Sequence, residues 1–385
     1  MKIKAFFSLF LLLLSFSVQA QDKTYAREVI AQLTSSRFFG RGYVNNGLQK
    51  SERFLVEEFK KWKIIPMTSS GFLQPYSFSV NTFPGKMELQ INGAKLQPGK
   101  DFIVSPDSKG LRAAGLLSQK DSIHFVDTIN ALQISILKKL TWSVSGELQN
   151  HTSVFINKDS FSGTPETYKV NLENQFIESF KTNNICGIIK GTKHPDSLIV
   201  ITAHYDHLGG MGSKTFFPGA NDNASGISLL LNLAKYYSEN KPNYSIGFIC
   251  FSGEEAGLLG SKYFSEHPLI NLNKIRFLIN LDLTGTGEEG ITVVNATQFK
   301  TEFSVLNQVN SERNYLNKIS SRGKAANSDH FWFTQKGVPS FFIYTNGGIR
   351  AYHDIYDIAA TLPLTEFDDL FRLIRDFNSK LMQGK

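Results

Sequence analysis

Between residues 180 and 380 one pattern recurs: a continuous apolar run that stops at a cluster of acidic or imidazole side chains. Ser197-Leu-Ile-Val-Ile-Thr-Ala leads into His204-Tyr-Asp206-His207, and Phe248-Ile-Cys-Phe leads into Glu254-Glu255. Phe277-Leu-Ile-Asn-Leu leads into Asp282, and Phe341-Phe-Ile-Tyr precedes a loop ending in Tyr352-His353-Asp354. The runs at 185–189, 197–203, 245–251, 276–283 and 338–344 read as strands, and 225–237, 256–264, 300–316 and 364–382 read as helices. Continuous apolar strands alternating with helices predict an α/β fold, with a mostly parallel central sheet flanked by helices on both faces. In open sheets of this kind ligands bind beyond the carboxyl ends of the strands. One location would then gather two histidines and four or five carboxylates.

The rest of the chain divides by pattern. Residues 24–65 read as helical, most clearly over 48–62, where Phe54, Leu55, Phe59 and Trp62 oppose Glu57, Glu58, Lys60 and Lys61. Phe38-Phe-Gly-Arg-Gly lies between as a loop. From about 70 to 175, short alternating stretches such as Met87-Glu-Leu-Gln-Ile and Ser153-Val-Phe-Ile predict a β-rich subdomain inserted into the main one. The expected divisions are a signal peptide at 1–20, a helical part of the main domain at 21–68, the insert at 69–178 and the main domain at 179–385. Met1-Lys-Ile-Lys, the apolar stretch 5–18 and Val18-Gln-Ala20 predict cleavage after Ala20 and a periplasmic or secreted mature protein. No later stretch is long and apolar enough to span a bilayer, so stable membrane insertion is not expected.

Composition excludes other classes. With 41% hydrophobic and 19% charged residues, the 385-residue chain is globular rather than disordered. Its net charge of +7 is scattered, with no basic run longer than Lys60-Lys61 or Lys138-Lys139, so no nucleic-acid partner is expected. Cys186 and Cys250 both fall in strand-like runs. A disulfide, which export permits, and two buried thiols fit equally well. Neither has metal-ligand spacing.

Several carboxylates in a small space raise one another's pKa and destabilise the fold unless cations neutralise them. The neighbouring sequence supplies few Lys or Arg. Mixed histidine and carboxylate ligands suit Zn²⁺, and two ions about 3.5–4 Å apart would neutralise more charge than one. Gly219-Ala-Asn-Asp222-Asn-Ala-Ser-Gly226 stands just before a predicted helix. Asp222 there reads either as a helix N-cap or as a carboxylate whose two oxygens bridge two ions. Taken singly, His204 and His353 also read as satisfied core histidines.

Together these segments resemble the M28 family of co-catalytic di-zinc metallopeptidases. The matching stretches are His204-Tyr-Asp206, Gly219 to Gly226, Glu254-Glu255-Ala-Gly-Leu-Leu-Gly-Ser, Asn280-Leu-Asp282-Leu-Thr-Gly, Ser328-Asp-His330-Phe-Trp-Phe, Lys336-Gly-Val-Pro, and Tyr352-His353 with Asp357 four residues on. Ser36-Arg-Phe-Phe-Gly-Arg-Gly resembles the family's lead-in, and the insert stands where relatives carry a protease-associated domain, which its sequence matches poorly. The resemblance implies the zinc-exopeptidase, phosphorylase/hydrolase-like fold and two Zn²⁺ ions per chain. It implies one ion on His204, Asp222 and Asp282, and the other on Asp222, Glu255 and His353. Asp206 would fix the ring of His204, and Glu254 would be the general base toward a water between the ions. Tyr352 would stabilise the oxyanion. His207 has no role in the family and reads as a polar loop residue, His330 matches a motif position that is not a ligand, and Asp354 and Asp357 would cap or orient the His353 loop. Gly209-Gly210-Met-Gly reads as a mobile loop. The implied activity is that of an exopeptidase on peptide substrates, with an aminopeptidase leading. A one-zinc glutaminyl cyclase, a carboxypeptidase or dipeptidase, and a non-enzymatic binding protein are the alternatives. The complete ligand set and Asn221-Asp222-Asn favour the two-metal peptidase.

Overall fold

Burial on both faces turns the apolar runs into the middle of one sheet. The computed structural model describes residues 23–383, so the expected signal peptide and its cleavage point lie outside the described residues. The central sheet has nine strands: β1 (Ile65–Pro66), β2 (Leu73–Thr82), β3 (Gln175–Ile189), β4 (His194–His204), β5 (Tyr244–Phe251), β6 (Ile275–Leu281), β7 (Ile291–Val294), β8 (Ile319–Ser321) and β9 (Ser340–Thr345). Their order is β1-β3-β5-β4-β6-β9-β7-β8, with β2 also paired to β3. The central four, β5-β4-β6-β9, are parallel. The antiparallel pairs lie outside them, β3 on β5 and β7 on β9.

Alternation along each strand sends successive side chains to opposite faces. Ile199, Ile201, Ile246, Phe248, Phe277 and Ile279 share one core with helices α1 (Lys23–Leu33), α2 (Gly47–Lys61), α3 (Gly226–Glu239), α5 (Lys300–Arg313) and α7 (Phe367–Leu381). Val200, Ile249, Phe251 and Leu278 face the other way, against α4 (Leu259–Glu266) and α6 (His330–Gln335). Both cysteines are buried and free. Cys186 pairs across the β3–β5 ladder with Ile249, and Cys250 with Ile185. One register step apart, the two thiols face opposite cores.

The helix expected from residue 256 begins only at Leu259. The amides of Gly257 and Leu258 both donate to the carbonyl of Glu254, and Leu258 takes a positive φ of 60°, so a tight turn precedes the helix.

β2 and β3 form a long antiparallel arm, from Ile185 opposite Leu73 to Gln175 opposite Thr82. The expected insert, 69–178, thus begins in the turn before β2 and ends within β3, both strands of the central sheet. Between them the chain builds a four-stranded and a five-stranded sheet. Alternating burial, as in Thr152–Asn157, gives these sheets a core of their own, including Leu89, Ile91, Phe102, Ile134 and Val154. Leu208, Met211 and Phe217 of the main domain complete it. The Gly209-Gly210-Met-Gly stretch is correspondingly buried throughout, and Gly210–Met211 pairs with Thr215–Phe216. It is a packed junction where a loose loop was expected.

Candidate metal centre

Parallel strands bring their carboxyl ends to one edge. His204 is the last residue of β4 and lies in register with Phe251, the last of β5. Asp282 directly follows β6, Glu254 and Glu255 follow β5 within four residues, Asp222 lies in the turn before α3, and His353 lies on the loop between β9 and α7. The Asp222–Asn223 peptide is cis.

These side chains converge. Nε2 of His204 lies 3.4 Å from Oδ1 of Asp222, 3.4 Å from Oδ1 of Asp282 and 4.0 Å from Oε2 of Glu254. Nε2 of His353 lies 3.1 Å from Oδ2 of Asp222 and 3.2 Å from Oε2 of Glu255. Asp222 therefore turns one oxygen toward each set. Nε2 of His204 and Oδ1 of Asp282 are buried without a hydrogen-bond partner. Orphaned polar atoms of this kind are rare in native interiors and call for an ion or a water. His204 with Asp222 and Glu255, and His204 with Glu254 and Asp282, form groups whose donor atoms lie close enough together to hold a metal ion, and mixed imidazole and carboxylate donors suit a divalent cation of the zinc type.

The surrounding bonds decide which atoms stay free. The Nδ1 of His204 meets the backbone carbonyl of Asp206 at 3.2 Å, while the nearest Asp206 carboxylate oxygen is 3.7 Å away. That carboxylate instead accepts the hydroxyl of Tyr43 at 2.9 Å and the amides of Glu254 at 3.2 Å and Glu255 at 3.3 Å. Asp206 thus holds the glutamate pair, and its carbonyl rather than its carboxylate is the hydrogen-bond partner of the His204 ring. Ser328 donates to Oδ2 of Asp282 and accepts from Asn280, leaving Oδ1 of Asp282 to face His204. Asp357 accepts the amides of Asn221 and Asp222, tying the Asp222 turn to the His353 loop. Asp354 accepts the amide of Tyr356 within that loop.

Two residues outside the sequence-derived set are part of this frame. His207 is fully buried, and its Nδ1 lies 2.6 Å from Oε1 of Glu255, which leaves Oε2 for His353. Arg41 is fully buried, and its guanidinium donates to the carbonyls of Tyr205, Pro218, Gly219 and Asp222, and more distantly to Leu33. Its signal was the pair of flanking glycines. A Cβ on Gly42 would stand 2.4 Å from Cα of Gly209, so only glycine lets the two backbones approach. His330 stands at the start of α6 against Phe342, outside both donor sets.

The electrostatics are those of a site that demands positive charge. Burial would lower the pKa of His204, but Glu254 and Asp282 outweigh it and hold it well above the ordinary value. Burial opposes His353 too, yet Glu255 and Asp222 push it up to about 11. Burial would raise Asp222, but the imidazoles of His204 and His353 hold it well below the carboxylate range. Burial and Asp222 would raise Glu255, but His353 and His207 bring it down to about 2. Glu254 goes the other way: burial, opposed by His204 and assisted by Glu255, lifts it well above the usual range. The imidazoles carry the charge that cations would otherwise supply.

Asp222, Glu254, Glu255, Asp282, Arg322 and Tyr352 line a cavity of about 540 Å³. Tyr352 lies on its wall, 43% exposed, with its ring stacked on His353 at 4.0 Å.

Comparison with known proteins agrees with this geometry. The chain is 28% identical over 309 residues to aminopeptidase YwaD of Bacillus subtilis (strain 168), a match covering 76% of this chain and 65% of that protein. The match spans less than two thirds of the relative's length. The fold is similar to that of BSAP, a zinc aminopeptidase from Bacillus subtilis, with a TM-score of 0.68 at 19% identity over 93% of this chain and 94% of the other. It is also similar to that of a peptidase M28 precursor from Shewanella amazonensis SB2B, with a TM-score of 0.72 at 13% identity over 95% of each chain. Residues 184–378, which include every residue of the two donor sets, match peptidase family M28. The chain belongs to peptidase family M28.

Proposed function

We propose that the protein is a zinc-dependent exopeptidase that removes N-terminal residues from peptides. The observation that carries this reading is the split of Asp222, one oxygen toward His204 and the other toward His353, with Glu254 beside His204. His204, Asp222 and Asp282 would hold one zinc ion, and Asp222, Glu255 and His353 a second. Bound there, zinc would supply Lewis-acid polarisation of the scissile carbonyl and would lower the pKa of water toward about 7.

The chain's own groups do the rest. Glu254 lines the cavity, and its carboxyl has a raised affinity for protons. It takes the proton of the attacking water and passes it to the leaving amine. The Asp206 carboxylate, bonded to both glutamate amides, keeps Glu254 facing the cavity. Tyr352, on the cavity wall, donates its hydroxyl to the developing oxyanion. The N-terminal direction is supported by the relatives that are named as aminopeptidases, YwaD of Bacillus subtilis among them. The mature protein is exported, as the N-terminal segment implies. Among the described residues no helix is long and apolar enough to cross a membrane.

Glu254→Gln tests the assignment. The variant should bind two zinc ions and lose about 10²–10⁴-fold in kcat on aminoacyl nitroanilides. Normal turnover in a fully loaded variant would refute the role of Glu254. A single bound zinc together with cyclisation of a glutaminyl peptide would replace the peptidase with a cyclase.

A further inference from the structure

The ligand residues differ in what holds them. His204 and Asp282 stand on the ends of central strands. Glu255 is braced by Asp206 and His207, and Asp222 by Arg41 and Asp357. His353 has none of these supports. It lies on a long loop after β9, with a positive φ of 52° that is uncommon for a side chain of its size.

Its hold comes from the inserted β subdomain. The Nδ1 of His353 lies 2.9 Å from the carbonyl of Trp142, and the amide of Trp142 donates to the carbonyl of His353 at 2.9 Å. Ring and main chain are thus both fixed on one residue of the insert. Trp142 is itself immobilised in the insert core, with its indole nitrogen donating to the carbonyl of Val104 at 2.8 Å and its ring stacked on Phe217 at 4.7 Å. Three residues earlier, Lys139 donates to the carbonyl of Arg350 at 3.0 Å and pairs with Asp354 at 3.5 Å. The segment 139–142 therefore grips the loop on both sides of His353.

We propose that the insert completes the second metal half-site, with Trp142 as the positioning residue that presents His353. The proposal rests on the two-zinc reading above. An imidazole whose Nδ1–H donates to a fixed carbonyl is held in one orientation, with Nε2 turned toward Asp222 and Glu255 and available to a cation once it gives up its proton. The half-site of His204, Asp222 and Asp282 is built by the central sheet and its flanking turn and does not depend on the insert. Loosening the insert should release one ion and leave the other.

The test is chelator competition and metal counting on the full chain. Trp142→Ala should keep one zinc ion at wild-type affinity and bind the second about 10–100-fold more weakly. Trp142→Phe, which keeps a ring on Phe217 but loses the indole N–H, and Lys139→Ala should weaken the same ion by less. Activity lost by Trp142→Ala should return as free zinc is raised, which a merely structural defect would not allow. A folded Trp142→Ala chain with both affinities unchanged, or with both lowered equally, overturns the proposal. If Trp142→Ala does not fold, Trp142→Phe and Lys139→Ala decide it in the same way. A wild-type chain that binds only one ion overturns the two-zinc reading along with this one; a two-ion wild type with unaffected variants overturns only the role of the insert.

Discussion

Arg41 offers the most direct test of how the site is held. Its guanidinium donates to Pro218 at 2.6 Å, Gly219 at 2.9 Å, Tyr205 and Asp222 at 3.0 Å and Leu33 at 3.3 Å, all carbonyls and all buried. Arg41→Met keeps an unbranched apolar stem and removes every donor. Each buried acceptor that loses its partner costs about 1–3 kcal/mol, but the costs do not add, because neighbours relax and some carbonyls have second partners. Gly219, for one, also accepts the amide of Ala224. The charge matters as well. Burial lowers the pKa of Arg41, and with Asp222, Asp357, Asp206 and Glu255 pulling the other way it stands at about 10, so the variant removes a buried positive charge from the neighbourhood of those carboxylates. With several carbonyls orphaned at about 1–3 kcal/mol each and only partial additivity, the total is on the order of 3–5 kcal/mol. That is a third or more of the stability of many domains, which have about 5–15 kcal/mol. Urea unfolding of the metal-free protein, followed by circular dichroism, should show the midpoint falling by about 1–2 M. Zinc competition should show both ions bound more weakly, since Asp222 serves both sets. Arg41→Lys, with three donors in place of five, should fall between the two. A variant within about 1 kcal/mol of wild type, with both zinc affinities intact, would show that the carbonyl fan is not what fixes the Asp222 turn.

Two further outcomes follow from the same geometry. His207→Ala should free Oε1 of Glu255 and weaken the second zinc ion about 10–100-fold in a chelator titration; unchanged binding would mean that the 2.6 Å contact does not orient Glu255. In the metal-free chain, burial pulls His353 down but Glu255 and Asp222 hold it at about 11, so its stabilisation is complete below pH 6.5 and is lost as pH rises toward 11. Zinc requires the neutral imidazole, so the loaded chain should not show this loss. Tm measured with and without EDTA should therefore diverge as pH rises, and parallel curves would count against the assignment of His353.

What was legible in the sequence was whatever one stretch of chain could announce. An apolar run ending in a charged pair marks both a buried strand and the edge it points to, so the converging histidines and carboxylates could be located before any coordinates. β7 and β8, at four and three residues, are too short to show a period and were not anticipated. His207 was set aside because its partner, Glu255, is 48 residues away. Arg41 and Trp142 left a fainter trace still, because both act on or through backbone carbonyls. A carbonyl has no residue type, so no pattern of side chains reveals that it orients a ring. The same holds for the oxygen that meets the His204 ring, which belongs to the main chain of Asp206.

The adjacent glutamates show how a fold makes two residues of one type do different work. Their successive amides donate to the two oxygens of a single carboxylate, Oδ1 and Oδ2 of Asp206. With the backbone pinned in this way, the side chains diverge. Glu255 meets His207 and His353 and stays ionised, with a pKa of about 2. Glu254, half-buried on the cavity wall with His204 at 4.0 Å, has its carboxyl lifted well above the usual range, first by desolvation. Pairs of like groups pushed apart in this way separate a permanent anion from a proton carrier. A ligand must remain charged at every working pH, and a base must take up and release a proton during each turnover. One residue could not satisfy both demands. Two neighbours beyond a strand end can, provided a third carboxylate holds their amides, and under the proposed mechanism that makes Asp206 as necessary to the chemistry as the glutamates it supports.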